Sequence, residues 1–120
     1  MPKKKPPIDE AHARELLQRE RKRVESALAD LTRVKESEIA EVEVATDPSD
    51  DAEVIEEEQV DQAIERQLRE ELEAIERAEK RLEEGTYGFS VESGEAIPAK
   101  RLEAIPWAER TAEEQARVSG

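Results

Sequence analysis

Leu17, Val24 and Leu31 recur every seven residues, and Ala13, Ala27 and Val34 fill a second seam position between them. Leu16 and Leu28 widen the apolar stripe, while Arg14, Arg19, Arg21, Lys22 and Arg23 occupy the outside. The pattern predicts an amphipathic helix from Ile8 with a coiled-coil-like seam. Asp9 and Glu10 suit its first turn. The pattern weakens after Lys35, where β-branched Ile39, Val42 and Val44 fit a helix less well. Fraying or an irregular turn is therefore expected over residues 36–45. A second helix is predicted from Pro48 to Glu84, with Leu68, Ile75 and Leu82 seven apart, Ile64 and Ala78 between them, and Val54, Val60 and Leu72 broadening the face.

Two long helices, each with one apolar stripe and joined by a short connection, fold back as an antiparallel hairpin. Each would be marginal alone, and the shared seam supplies the stability. A parallel self-associating coiled coil would use the same stripe, but the turn chemistry favours the intramolecular hairpin and a monomer. Gly85 stops the second helix. Tyr87 to Ile97 reads as a small hairpin turning at Ser93-Gly94. Pro98 opens a short helix through Leu102, closed at Ile105-Pro106, and Trp107 to Val118 forms a last helical piece. The expected class is mainly α: a long helical hairpin over residues 8–84 with its tip at about 40–52, and a small globular end with a C-terminal helix over 85–120.

Composition sharpens this. Residues 1–7 hold three prolines and Lys3 to Lys5, a basic tail expected to be flexible. The three aromatics, Tyr87, Phe89 and Trp107, all lie in the last third, which makes that end the expected compact core. A piece of about 30 residues usually needs a metal or disulfide, yet the chain has no cysteine. A net charge of −13 disfavours a grip on nucleic-acid phosphates and suits a basic protein partner. The start has no apolar run of a signal peptide and no stretch approaches a membrane span, so the expected location is the cytoplasm.

Candidate chemistry is sparse. His12 has no second histidine and no cysteine to share a metal with, and there is no nucleophile–base pair or glycine-rich phosphate loop. No enzyme activity, catalytic residue or cofactor is expected. The acidic corner Asp47-Pro48-Ser49-Asp50-Asp51-Ala52 is a sound helix start, because proline fits the first turn and carboxylates answer the helix dipole. It is equally a hairpin tip that carries negative charge away from the body.

The segment Tyr87-Gly88-Phe89-Ser90-x-x-Ser93-Gly94-x-x-Ile97-x-x-x-Arg101-Leu102-x-Ala104-x-Pro106-x-Ala108 resembles the zinc finger of the DksA/TraR family, YGxCxxCGxxIxxxRLxAxPxAxxCxxC. Laid over it without gaps, the four zinc-ligand cysteines fall on Ser90, Ser93, Thr111 and Glu114. The framework is kept and every ligand is replaced. The same family carries D-x-x-D-x-A where its two helices meet, matched by Asp47, Asp50 and Ala52.

The resemblance covers about residues 8–115. It implies a transcription regulator that binds RNA polymerase rather than DNA, inserts the hairpin into the secondary channel, and modulates promoter open complexes with the acidic tip. At positions where ppGpp-responsive relatives contact or support that nucleotide, this chain has Gln67, Glu71, Ala74, Ile105 and Gln115, which lack the cations that phosphate recognition wants. The expectation is activity independent of zinc and of ppGpp. In place of the metal, the three hydroxyls and the Glu114 carboxylate are expected to form a hydrogen-bonded cluster. Arg101 is a framework residue pairing with nearby acids, or a polymerase contact. Two other readings stay open: an adaptor hairpin for another protein, and a channel binder like the transcript-cleavage factors.

Overall fold

The computed structural model describes residues 5–42 and 51–119, and the side chains of residues 5–34 and 59–119. Among the described residues four helices follow one another: α1 (Glu10–Val42), α2 (Asp51–Glu84), α3 (Ala99–Ala104) and α4 (Ala112–Ser119). The architecture is mainly α, with α1 packed along α2 as a long hairpin and a small globular end beyond it. At 1.5 Å per residue, helices of 33 and 34 residues are each about 50 Å long. The protein is correspondingly elongated, 66 × 30 × 21 Å.

α1 runs seven residues past Lys35, through Ile39 and Val42, where fraying was expected. A β-branched residue costs only tenths of a kcal/mol per helical position, and extending an existing helix avoids the nucleation cost. The first part of the expected turn, residues 36–42, is therefore helix. Residues 43–50, with the predicted start of the second helix at Pro48, lie outside the described residues, as do residues 1–4 of the basic tail.

The cross-helix ion pairs set the antiparallel register. Arg21 reaches Glu79 at 2.7 Å, and Arg23 reaches Glu71 at 3.2 Å. Beside them the seam is closed: Leu17, Val24, Ile75 and Ala78 are fully buried. α2 ends in a Schellman motif. Gly85 takes φ 79°, its N–H reaches the Leu82 carbonyl, and the Thr86 N–H reaches the Arg81 carbonyl at 2.9 Å.

The chain then makes the small hairpin the sequence predicts. Phe89 and Ala96 form an antiparallel bridge, flanked by Ser90 N–H to Glu95 carbonyl and Ile97 N–H to Gly88 carbonyl, both 2.8 Å. Gly94 turns it at φ 77°. Pro98 caps α3. The last helix begins only at Ala112, not at Trp107, because Thr111 caps it there.

The core is shared. Ile8, Ala13, Leu17 and Leu82 of the hairpin base join Tyr87, Ile97, Leu102 and Ala108 of the globular end in one buried cluster. The aromatic end is thus not a separate core of its own, which is how a piece so small holds together. Pro6 and Pro7 are half-buried against it. A Cβ built on Gly88 would lie 2.7 Å from Pro7 Cδ and 3.5 Å from Pro6 Cβ.

Candidate functional site

The globular end brings Ser90, Ser93, Thr111 and Glu114 together. Ser90 lies at the first corner of the small hairpin, where its Oγ accepts the backbone N–H groups of Glu92 (3.1 Å) and Ser93 (3.2 Å). Ser93 Oγ accepts the Glu95 N–H at 3.3 Å. Each bond satisfies a turn N–H that a tight corner leaves without a ladder partner.

Thr111 and Glu114 approach from the other side as the ends of a capping box. Thr111 Oγ1 accepts the Glu114 N–H, and Glu114 Oε1 accepts the Thr111 N–H at 2.9 Å. Ser90 and Glu114 are each only 5% exposed. The Glu114 carboxyl is held down at about 2, first by the Thr111 backbone N–H and next by the Ser90 hydroxyl. Burial opposes that shift, and the Ser93 and Thr111 side chains add to it. A carboxylate that accepts several bonds stays ionised even when largely enclosed.

The cluster expected from the sequence is thus present as a hydrogen-bonded corner. Its donor set is three hydroxyls and one carboxylate, a poor set for zinc beside thiolate or imidazole. Among the described residues no three His, Cys, Asp or Glu side chains group closely enough to hold a metal ion.

The loop between α3 and α4 is fastened on several sides. Tyr87 Oη donates to the Pro106 carbonyl at 2.8 Å, and the Val91 N–H reaches the Glu109 carbonyl at 2.9 Å. The Glu109 carboxylate meets Arg77 at 2.5 Å and Arg81 at 3.4 Å. Arg101 is half-buried and donates from Nε to the Arg110 carbonyl at 2.9 Å. Its partner is a backbone oxygen and not one of the neighbouring acids the sequence suggests. Nε and Nη2 of Arg81 are buried without a hydrogen-bond partner among the described residues. Arg110 Nε lies 3.4 Å from a Glu92 oxygen, close enough for an ion pair but misaligned for a hydrogen bond.

At the other end of the hairpin, Asp47 and Asp50 lie outside the described residues, and Ala52 is the second residue of α2. Ala52 and the Ser90–Glu114 corner are therefore at opposite ends of α2. Of the residues that the resemblance aligns with nucleotide contacts in relatives, Glu71 is engaged by Arg23 and the Gln115 amide donates to Ser119 Oγ at 2.9 Å. Ala74 is buried in the base of the hairpin. Neither the Arg77–Arg81–Glu109 group nor the His12–Glu103 contact at 2.8 Å is visible in the sequence pattern. The residues of each group are too far apart in the chain for spacing to reveal them.

Comparison with known proteins places this geometry among solved folds. The chain is similar to the transcription factor DksA2 of Pseudomonas aeruginosa, with a TM-score of 0.74 and 27% identity over 92% of this chain and 82% of that one. The fold is DksA-like. Over 58 residues the chain is 45% identical to General stress protein 16O of Bacillus subtilis, a match covering 48% of this chain and 36% of that protein. Over 66 residues it is 44% identical to the uncharacterized protein YteA of the same organism, covering 55% and 28%. The chain thus spans about a third of the length of these curated relatives. No family model matches it. No helix among the described residues is long and apolar enough to cross a membrane.

Proposed function

We propose that this protein is a transcription regulator that binds RNA polymerase through the secondary channel and acts on promoter open complexes without zinc and without ppGpp. The observation that carries the reading is the likeness to the transcription factor DksA2 along nearly the whole chain, hairpin and globular end together. A hairpin about 50 Å long reaches deep into a channel while its broader base stays at the rim. Asp47 and Asp50 at the tip act on mobile elements or basic groups near the active centre, and Ala52 keeps the tip slim.

The corner at the base supports the zinc-independent part of this reading. Ser90, Ser93, Thr111 and Glu114 stand where related fingers hold a metal, and their polar groups already satisfy one another and the local backbone. The ppGpp-independent part is supported by Gln67, Glu71, Ala74, Ile105 and Gln115, which offer a polyphosphate no cation.

The test is a pull-down of RNA polymerase with the wild type and Asp50→Asn, followed by open-complex lifetime with and without ppGpp. Binding retained with the lifetime effect lost in Asp50→Asn supports the regulator, and a strong ppGpp requirement removes that clause. No binding leaves an adaptor hairpin, and stimulated cleavage of backtracked RNA points to a cleavage-factor role. Stoichiometric zinc in protein purified without chelators would overturn the metal-free corner.

A further inference from the structure

Burial along the hairpin seam falls with distance from the globular end. Leu17, Val24, Ile75 and Ala78 are fully buried, whereas Val34 and Ile64, at seam positions further out, are 47% and 43% exposed. Val60, one turn beyond Ile64, is 58% exposed. The register set by Arg21–Glu79 and Arg23–Glu71 puts Val34 level with Ile64 and Val60. The seam position seven residues before Leu68 is Asp61, so α2 offers no large apolar side chain to close the strip there. Among the described residues the outer seam is a partly exposed apolar strip.

Charge is segregated onto the same half. Residues 30–65 contain fourteen acidic and two basic side chains, while the rest of the chain has eighteen and seventeen. Nearly the whole net charge of −13 therefore falls within residues 30–65 of the sequence, and the remainder is close to neutral.

We infer that the outer half of the hairpin, with Val34, Val60 and Ile64 at its centre, docks on a cationic protein surface that presents an apolar side chain among lysines or arginines. This rests on the polymerase reading and deepens it by stating the chemistry of the surface that receives the hairpin. Sign decides the occupant. A second copy would set two strongly acidic halves together, and a nucleic acid would add its own phosphates; both are repelled. A basic protein surface gains from the same field, which speeds its encounter and orients it before the apolar strip closes.

Two full-length variants separate the contributions. Glu56→Gln/Glu57→Gln/Glu58→Gln removes charge, and Val60→Ala/Ile64→Ala removes apolar surface in residues that keep helix propensity; circular dichroism checks both folds. Binding to bacterial RNA polymerase is measured by fluorescence anisotropy at about 50 mM and about 300 mM NaCl, which bracket the range over which exposed charges become screened. The glutamine variant is expected to bind about tenfold more weakly at low salt and like the wild type at high salt. The alanine variant is expected to bind about tenfold more weakly at both salts.

Wild-type affinity in both variants overturns the inference and leaves the polymerase reading standing. If the wild type does not bind polymerase, that reading falls, and an amphipathic Lys/Leu peptide titrated into the isotope-labelled chain decides the inference. Salt-sensitive amide shifts centred on Val34, Val60 and Ile64 support it; their absence, or shifts centred elsewhere, overturns it.

Discussion

Thr111 and Glu114 cap one another, each side chain taking the other's backbone N–H at 3.2 and 2.9 Å. The Glu114 carboxyl is depressed to about 2, so the folded state binds its proton less readily than the unfolded chain. Its contribution to stability is complete above about pH 4.5 and is lost as pH falls towards about 2. Melting temperature measured against pH should therefore drop less steeply below pH 4.5 in Glu114→Gln, which keeps a capping-box side chain but cannot titrate. Thr111→Ala should cost about 1 kcal/mol at neutral pH, a loss of roughly 4 °C in melting temperature.

Tyr87 is the single tyrosine of the chain, and its phenol is displaced up to about 12. Burial is the main cause; Arg81 opposes the shift and Glu103 adds to it. A raised folded value stabilises the protein fully below the unfolded value of about 10, and that contribution is lost as pH rises through about 12. Tyrosinate absorbance followed during alkaline titration should lag a model tyrosine by about two pH units, then rise as the fold opens.

Gly88 and Gly94 both have positive φ, 90° and 77°, but they differ in their surroundings. Nothing lies within 4 Å of a Cβ at Gly94, whereas one at Gly88 meets the Pro7 ring at 2.7 Å. Gly94→Ala should cost about 1 kcal/mol, the backbone term alone. Gly88→Ala should cost about 2–4 kcal/mol, since overpacking adds to it. Urea titrations of the two variants check the order.

Because the hairpin base and the globular end share one buried cluster, they should unfold together. Trp107 fluorescence, which reports the globular end, and helical ellipticity, which reports mainly the hairpin, should follow one transition. Leu102→Ala should lower the midpoint seen by both probes, at a cost of about 2–5 kcal/mol. Two separated transitions would mean two independent units.

Arg21 meets Glu79 across the helices with both side chains about a third exposed. A double-mutant cycle on this pair should give a coupling of about 0.5 kcal/mol that shrinks with added salt. A coupling of several kcal/mol would contradict so solvated a bond.

The sequence made the local structure legible. Heptad spacing at Leu17, Val24 and Leu31, and at Leu68, Ile75 and Leu82, marked the seam. Gly85 and Gly94 marked a helix end and a turn that need positive φ. Two features escaped it for energetic reasons. The extension of α1 through Val42 reflects cooperative propagation, which residue-by-residue propensity underrates. The late start of α4 was written in Thr111-x-x-Glu114, a capping box whose residues drew notice only as replaced ligands. The Arg101–Arg110 bond and the Glu109 group depend on register between distant segments, which no periodicity encodes.

The packing of Pro7 against Gly88, with His12 touching Glu103 nearby, joins positions about eighty to ninety residues apart in the chain. During synthesis, α1 therefore leaves the ribosome long before the residues that complete its buried face exist. Its exposed stripe has only α2 to meet until Ile97, Leu102 and Ala108 emerge, and loop closure over such separations is slow. A chain stalled before Ala108 should be open to proteases along α1, so the stretch from Ile97 to Ala108 works as the clasp that ends the vulnerable period.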